Sequence, residues 1–224
     1  SEKYWTETRM QWLADVLEAV RFVTGFPSEN IHLKRRARQK GTQQYEKTGR
    51  AGEDFIVREN GRRFWVNLEK YLDTGLFLDH RNTRRQVGDL AAGKRFLNLF
   101  AYTGSFTVYA ATGGAISSET VDLSNTYLDW AQRNFELNGI DLRCHEIIRA
   151  DVFQYLADAA AAGKRFDLIV MDPPSFSNSK KMLDILDIQR DHMRLIDGAM
   201  KLLEPNGTLF FSNNLRSFVL SQEA

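Results

Sequence analysis

The sequence predicts an α/β fold built around a doubly wound, mostly parallel sheet. From residue 96 onward, apolar strand-like segments alternate with amphipathic helix-like segments, which is the pattern of a parallel sheet covered by helices. Three consecutive strand-like segments end on an acid, at Asp122, Asp151 and Asp172. The alternation is absent before residue 81, so we predict a small appendage over residues 1–80 and the α/β domain over residues 81–224.

The appendage is predicted to contain a helix, a basic segment and a β-hairpin. Apolar residues recur at helical spacing through residues 3–24, and Gly25 can end the helix. The segment FIVRENGRRFWVNL predicts two strands joined at Asn60-Gly61, because this dipeptide suits the positive φ angles of a tight hairpin turn.

The elements of the α/β domain follow in chain order. The strands are predicted in RFLNLFAY, AISSETVDL, HEIIRAD, FDLIVMD and TLFFSNN. The helices are predicted in SFTVYAAT, TYLDWAQRNFELNG, residues 152–162 and residues 184–203. Gly113-Gly114 and Asn138-Gly139 follow two of these helices, where residues with positive φ are common.

Composition narrows the class of protein. The 224 residues are 43% hydrophobic and 26% charged, as in ordinary globular proteins. No apolar run approaches the roughly 20 residues that span a bilayer, and the first residues lack a signal-peptide core. The single cysteine excludes an internal disulfide, and the four histidines show no metal-ligand spacing. We therefore expect a cytoplasmic protein with no membrane partner and no metal.

Positive charge is concentrated near the N-terminus. The net charge is +1, but residues 1–95 carry +6 and residues 96–224 carry −5. Residues 34–50 contain seven basic side chains and one acid. Such a run can bind a polyanion by displacing its counterions, although a solvated basic loop has the same composition.

The acids at the strand ends predict a nucleoside-binding crevice. Ligands of open α/β sheets bind outside the carboxyl ends of the strands, although Asp is also a common helix N-cap. Asp122 lies 18 residues beyond Gly104, about where a ribose-binding acid falls in dinucleotide folds. We expect Asp122 to accept the ribose hydroxyls and Asp151 to accept the adenine amino group. Because no glycine-rich phosphate cradle is present, the pattern favours S-adenosylmethionine, with S-adenosylhomocysteine as its product.

The stretch VMDPPSFSNSKK at residues 170–181 predicts the site of a planar base. Pro173 and Pro174 have no N–H and hold a rigid, non-helical backbone. Asp172 offers acceptor oxygens and Phe176 a stacking face, which can offset much of the few kcal/mol that unstacking a base costs. Alternatively, Phe176 belongs to the core and the prolines only end a strand.

Several motifs together resemble one enzyme family over essentially the whole chain. They are YLDTGLFLDHR, FLNLFAYTGSFTV, VDLSNTYLDWAQRNFELNG, DPPSFSNSK, DIQRDH and FSNN. They resemble the C-terminal, guanine-N7 half of the bifunctional bacterial 23S rRNA guanine methyltransferases. The resemblance implies a Rossmann-like methyltransferase fold, S-adenosylmethionine as methyl donor and 23S rRNA as substrate.

The resemblance also extends the set of candidate site residues. It implies that the segment around Arg81 closes over the methionine end of the cofactor, where Arg81 could pair with its carboxylate. The predicted catalytic residues are Asp172, Pro173, Pro174, Phe176 and Asn213. The predicted cofactor-binding residues are Asp79, Arg81, Asn98, Tyr102, Thr103, Gly104, Ser105, Phe106, Asp122, Leu123, Asp151, Val152 and Asp172.

The chain departs from the family pattern at both ends. Family members are normally fused to an N-terminal half that methylates guanine N2 and carries an RNA-binding region, and neither is present here. The antiparallel strands that usually complete a methyltransferase sheet are also expected to be missing, because the chain stops ten residues after Asn214.

The residues are compatible with an N7 target without requiring it. Guanine N7 keeps an in-plane lone pair and needs neither a base nor a covalent nucleophile, whereas attack at a pyrimidine C5 would need a thiolate. Cys144 begins the third strand of the domain, at the wrong end of a parallel sheet. Guanine N2, another RNA base, or a non-catalytic RNA-binding module stay open as alternatives. His192 is expected to be structural, and Lys180 and Lys181 either meet phosphate or are solvated.

Overall fold

The computed structural model describes residues 7–34, 52–71, 73–177 and 186–221. Its contacts divide the chain into two units, residues 1–38 and residues 39–224. The basic run at residues 34–50 lies, apart from Lys34, outside the described residues, as do Lys180 and Lys181.

The first unit contains helix α1, Glu7–Thr24, followed by a 3₁₀ turn at Ser28–Asn30. Gly25 has φ +69° directly after the helix, which confirms the helix end predicted from the sequence. No side chain of α1 is buried, and Phe22 and Val23 are 89% and 81% exposed.

The hairpin is formed by β1, Asp54–Glu59, and β2, Arg62–Asn67. Asn60 and Gly61 join them with φ angles of +48° and +83°, which confirms the predicted tight turn.

Besides this hairpin, the second unit contains a five-stranded parallel sheet with helices on both faces. Its strands are β3 (Arg95–Leu99), β4 (Ser117–Asp122), β5 (His145–Arg149), β6 (Phe166–Met171) and β9 (Leu203–Phe211). Its helices are α2 (Arg81–Leu90), α3 (Ser105–Thr112), α4 (Asn125–Leu137), α5 (Val152–Ala161) and α6 (Ile188–Leu202). A short antiparallel pair, β7 (Phe176–Ser177) and β8 (Leu186–Asp187), follows β6.

The strand order is β5-β4-β3-β6-β9, and all four pairings are parallel. This confirms the predicted α/β fold. Leu99 of β3 pairs with Val121 of β4 and with Met171 of β6. Asp122 and Asp172 therefore follow equivalent register positions, on either side of the loop that leaves β3.

Side chains of the central strand alternate between two apolar layers, as parallel strands buried on both faces require. Leu97 and Leu99 pack in the cluster that includes α5 and α6, whereas Phe96 packs with Val87 of α2 and Phe106 of α3. The core thereby fixes the strands whose carboxyl ends carry the predicted site residues.

The hairpin packs on the sheet unit, although the sequence analysis grouped it with the N-terminal helix. Glu59 accepts two hydrogen bonds from Arg84 of α2, at 2.8 and 2.9 Å, and one from the Tyr109 hydroxyl of α3. The indole N–H of Trp130 donates to the carbonyl of Trp65. The boundary between the two compact units therefore lies near residue 38 and not near residue 80, because the polar partners of the hairpin lie on helices of the second unit.

Candidate active site

The loop that leaves β3 is held in an unusual backbone conformation. Phe100, Tyr102 and Gly104 have φ angles of +56°, +51° and +69°. A Cβ at Gly104 would lie 2.8 Å from the Phe135 ring and 2.9 Å from Ala131. The requirement for glycine therefore comes from its positive φ and from the close approach of α4. From the sequence, Gly104 was predicted only as a member of the cofactor-binding set, with no reference to α4.

Asp122 ties this loop to the end of β4. Its Oδ2 accepts the Tyr102 N–H and its Oδ1 accepts the Ser124 N–H, both at 2.9 Å. Burial raises the pKa of Asp122 to about 6, although the N–H groups of Ser124 and Tyr102 favour the ionised form. The neutral form thus competes with the ionised form near physiological pH in the ligand-free protein.

A second connection joins the same loop to Gly75, upstream of the sheet. The Gly75 N–H donates to the Tyr102 hydroxyl at 2.9 Å, and the Thr103 hydroxyl donates to the Gly75 carbonyl at 2.7 Å. Gly75 has φ +99°, and a Cβ there would lie 2.2 Å from the Trp130 ring. Phe77 packs on Tyr102 with 5.2 Å between ring centroids. The chain just before α2 is therefore fixed against the loop after β3.

Asp172 is held from two sides at the end of β6. Its Oδ1 accepts the Ser212 hydroxyl at 2.6 Å, and its Oδ2 lies 3.2 Å from His80 Nε2. The hydrogen bond to Asp172 raises the pKa of His80, although burial opposes the shift. Each carboxylate oxygen keeps a second lone pair, so Asp172 is oriented and still able to accept another hydrogen bond.

Phe176 lies in β7, four residues beyond Asp172, and is 52% exposed. This exposure argues against the alternative that its ring belongs to the core. The preceding Ser175 is anchored, because its hydroxyl donates to Asn214 and its carbonyl accepts the Ile188 N–H at 3.2 Å.

The remaining predicted catalytic residues lie beside Asp172. Pro173 is buried and Pro174 is partly buried. Asn213 Oδ1 accepts the Leu215 N–H at 3.0 Å, which leaves the amide N–H₂ group of Asn213 for other partners.

Two predicted cofactor residues, Asn98 and Asp151, have partners within the protein. Asn98 is 1% exposed and donates to Thr107, which in turn bonds Thr120, so its side chain is committed to the core. Asp151 caps α5 by accepting the Phe153 N–H at 3.0 Å, as the N-cap alternative predicts.

The other members of the predicted set differ in exposure. Asp79 and Arg81 are exposed, whereas Leu123 is partly buried. Ser105 (9%), Phe106 (7%) and Val152 (4%) are largely buried, as are Asn98 and Thr103.

His192 and Cys144 were considered as candidate functional residues, and their surroundings in the structure argue against such a role. His192 is 3% exposed, and its Nε2 accepts the Ser221 N–H at 3.1 Å, so Nδ1 carries the proton and donates to the Gln189 carbonyl. Cys144 is exposed and directly precedes β5. It therefore lies at the amino edge of the sheet, opposite the strand ends that carry the site.

Gly75, His80 and Ser212 contact the predicted site residues, although the sequence pattern did not indicate this. His80 lies between Asp79 and Arg81 in the motif YLDTGLFLDHR, and no role was predicted for it, although its side chain reaches Asp172. Ser212 stands one position before Asn213, in a motif that was already singled out. The signal available was thus proximity in sequence to residues of the motifs, but only the fold shows which side chain faces inward.

Comparison with known proteins decides the family. Residues 6–218 match the family described as S-adenosylmethionine-dependent methyltransferase. The chain belongs to this methyltransferase family. Among solved structures, it is similar to a Streptococcus mutans protein that is assigned as an S-adenosylmethionine-dependent methyltransferase. The TM-score is 0.74, and the identity is 30% over 96% of this chain and 55% of that one. Another, assigned as a methyltransferase and solved with S-adenosylhomocysteine, has TM-score 0.70 and 37% identity over 75% of this chain and 44% of that one.

Two curated relatives of this methyltransferase are named as methyltransferases of ribosomal RNA. It is 80% identical over 209 residues to the ribosomal RNA large subunit methyltransferase K of Neisseria meningitidis serogroup B, covering 93% of this chain and 59% of that protein. It is 57% identical over 208 residues to the ribosomal RNA large subunit methyltransferase K/L of Chromohalobacter salexigens, covering 93% of this chain and 28% of that protein. The chain thus spans less than two thirds of either relative.

The site has the chemistry that S-adenosylmethionine requires. Asp122 offers carboxylate lone pairs at the carboxyl edge of the sheet and accepts the N–H of Tyr102, whose ring packs against the rings of Phe77 and Tyr127. The loop after β3 carries one glycine and no basic side chain for a phosphate. Acceptors and an aromatic surface without a phosphate cradle fit an adenosine group that bears no phosphates. The residues present therefore fit the cofactor of the family.

Across the described ranges, no group of three or more His, Cys, Asp or Glu side chains could hold a metal ion. No helix in the same ranges has the length and apolar character that crossing a bilayer demands.

Proposed function

We propose that this methyltransferase transfers the methyl group of S-adenosylmethionine to N7 of a guanine in 23S rRNA. The observation that carries the proposal is the exposed Phe176 ring just beyond the doubly held carboxylate of Asp172, on the same sheet edge as Asp122. The names of the two ribosomal RNA methyltransferase relatives support the class of substrate.

In this proposal Asp122 accepts hydrogen bonds from the ribose hydroxyls and Asp151 accepts one from the adenine amino group. Asp151 can do so while it caps α5, because the cap uses Oδ1 and leaves Oδ2 for a ligand. Arg81, exposed at the start of α2, would pair with the cofactor carboxylate. When bound, the cofactor supplies an electrophilic methyl group on sulfur.

The residues after β6 would hold the target base. Phe176 stacks on the base, which contributes about 1–3 kcal/mol per stacked base. Asp172 accepts from the donor edge of guanine through its remaining lone pairs, and the free amide hydrogens of Asn213 can donate to an acceptor of the base. The buried Pro173 keeps this backbone in place, so the contribution of the protein is orientation of the two reacting groups.

Chemistry at N7 suits the groups that are present. An aromatic nitrogen lone pair attacks the methyl group directly, and no proton must be removed from N7. The thiol of Cys144 lies at the opposite edge of the sheet, which argues against a covalent route to a pyrimidine carbon. Guanine N2 needs no thiol either, so it stays the main alternative target.

The proposal also includes a fusion partner and a cellular location for this methyltransferase. The chain covers only 28% of the longer K/L relative, consistent with a natural fusion to an N-terminal guanine-N2 methyltransferase half. An rRNA substrate also fits a cytoplasmic protein.

The deciding experiment incubates this chain with 23S rRNA and isotopically labelled S-adenosylmethionine, then maps methylated nucleotides by mass spectrometry. Label on guanine N7 is expected in the wild-type protein and is expected to be strongly reduced in Phe176→Ala. Label on guanine N2 or on another base would replace the proposed target. RNA binding without any label would favour the non-catalytic RNA-binding module.

A further inference from the structure

The segment of residues 75–80 is attached at both ends to the two halves of the candidate site. At one end, Gly75 exchanges two hydrogen bonds with Tyr102 and Thr103 of the loop after β3. At the other end, His80 Nε2 lies 3.2 Å from Asp172 Oδ2. One short segment therefore connects the proposed cofactor loop to the proposed base-binding carboxylate.

The His80 ring is held in a single orientation by its surroundings. It packs edge-on against Phe106 of α3, with 5.5 Å between ring centroids. The side chains of His80 and Asp172 are 19% and 29% exposed. A hydrogen bond to a charged group that is this well shielded contributes more than one in open solvent.

Asp172 needs such support because one partner cannot fix a carboxylate. Ser212 binds only Oδ1, at 2.6 Å, and leaves the carboxylate plane free to turn about that contact. The second contact, from His80 to Oδ2, fixes the plane and so the directions of the remaining lone pairs. Lone pairs aimed at the base matter only if they are already aligned when the methyl group moves.

We propose that His80 is a positioning residue, which aligns the Asp172 carboxylate for methyl transfer and couples it to the cofactor loop through residues 75–80. This proposal rests on the proposed function and deepens it, because neither the motifs nor the names of the relatives give His80 a role. His80 itself touches neither reacting atom in this arrangement.

The charged groups around His80 give the proposal a pH signature. Its hydrogen bond to Asp172 raises the pKa of His80, Asp79 raises that pKa further, and Arg84 of α2 lowers it. The charged pair is therefore complete below the raised pKa and is lost as the pH rises through it. If alignment of Asp172 depends on this pair, kcat falls over the same interval.

The activity test compares His80→Ala, His80→Gln and Gln86→Ala in the full chain. Gln can place an amide N–H near the position of Nε2 without titrating, and Gln86 is an exposed residue of α2 that serves as control. We expect His80→Ala to lower kcat by about tenfold or more, the equivalent of losing a hydrogen bond to a charged group. Affinity for S-adenosylhomocysteine, measured by calorimetry, should stay within about twofold. His80→Gln should restore most of kcat and remove the alkaline fall from its pH profile.

A second measurement does not depend on turnover. The pKa of His80, followed by NMR titration, should fall toward the ordinary histidine value in Asp172→Asn, because the neutral amide no longer stabilises the imidazolium. Unchanged kcat in His80→Ala, no rescue by Gln, or the same His80 pKa in both proteins would each overturn the proposal. If the wild-type chain methylates no rRNA, the proposed function fails, and the NMR titration still decides whether His80 and Asp172 are coupled.

Discussion

Binding of S-adenosylhomocysteine is expected to tighten as the pH rises through the titration of Asp122. Burial raises the pKa of this carboxyl to about 6 in the ligand-free protein. Ribose hydroxyls donate to the ionised form and stabilise it, so binding should release a proton near pH 6. At pH 5 roughly one molecule in ten would have Asp122 ionised, and the affinity should be about tenfold lower than at pH 7.

The assay is calorimetric titration at pH 5, 6 and 7 in buffers of different ionisation enthalpy, which counts the protons released. Asp122→Asn keeps the volume and removes the titration, so its binding should not change with pH. At pH 7 it should bind about 1–3 kcal/mol more weakly, because it loses the carboxylate acceptor and turns an amide N–H₂ toward a backbone N–H of Tyr102 or Ser124. Asp122→Ala should weaken binding by a similar amount.

The same pKa predicts how the stability of the ligand-free protein depends on pH. Since the folded state holds the Asp122 proton more tightly than the unfolded state, the free energy of unfolding should fall as the pH rises from about 4 to about 6. The fall would be up to about 3 kcal/mol, and it should be absent in Asp122→Asn. The assignment of Asp122 to the ribose would be refuted if the affinity of the wild-type protein for S-adenosylhomocysteine did not change with pH. It would also be refuted if the affinity of Asp122→Asn changed with pH as the wild-type affinity does.

Three other predictions test separate parts of the molecule. Phe176→Ala should lower methyl transfer by roughly 5- to 150-fold, equivalent to the 1–3 kcal/mol of one stacked base, with unchanged affinity for S-adenosylhomocysteine; intact turnover in a folded protein would refute the stacking role. Gly75→Ala should lower the free energy of unfolding by at least about 2 kcal/mol in denaturant titrations, because its Cβ would lie 2.2 Å from Trp130 at a positive φ; a change below 0.5 kcal/mol would contradict the packing shown. Replacing the four basic residues between 34 and 38 with Ser should flatten the slope of log RNA affinity against log salt by up to about 3, with equal weakening for all RNA sequences and no effect on cofactor affinity; an unaltered slope would leave that segment a solvated loop.

Much of the fold could be predicted because its signals are local. The hairpin turn needs positive φ at Asn60 and Gly61, and that dipeptide is typical of such turns. Apolar runs that end on Asp122 and Asp172 predicted parallel strands with a common carboxyl edge, and the register confirms it. Helix α2 was missed, since RNTRRQVGDL contains only two large apolar residues, Val87 and Leu90. Its inner face uses Arg84, which is 1% exposed and paired with Glu59.

The candidate site was predicted less completely. The strand-end acids and Phe176 could be proposed as site residues because each follows a strand or a proline pair in the sequence. Their partners were not, since His80 and Ser212 reach Asp172 across 92 and 40 residues of chain. Spacing along the chain carries no information about contacts of that kind.

The sequence by itself determined the class of fold, the edge of the sheet that carries the candidate site and the type of cofactor. These depend on the order of apolar and polar residues within segments of five to fifteen residues, where local sterics and side-chain periodicity decide the outcome. Only the tertiary structure decided that Gly104 accommodates α4, that Asn98 belongs to the core and that His80 reaches Asp172. Each of these depends on how two distant segments are oriented, and that orientation is set by packing of the whole sheet and its helices.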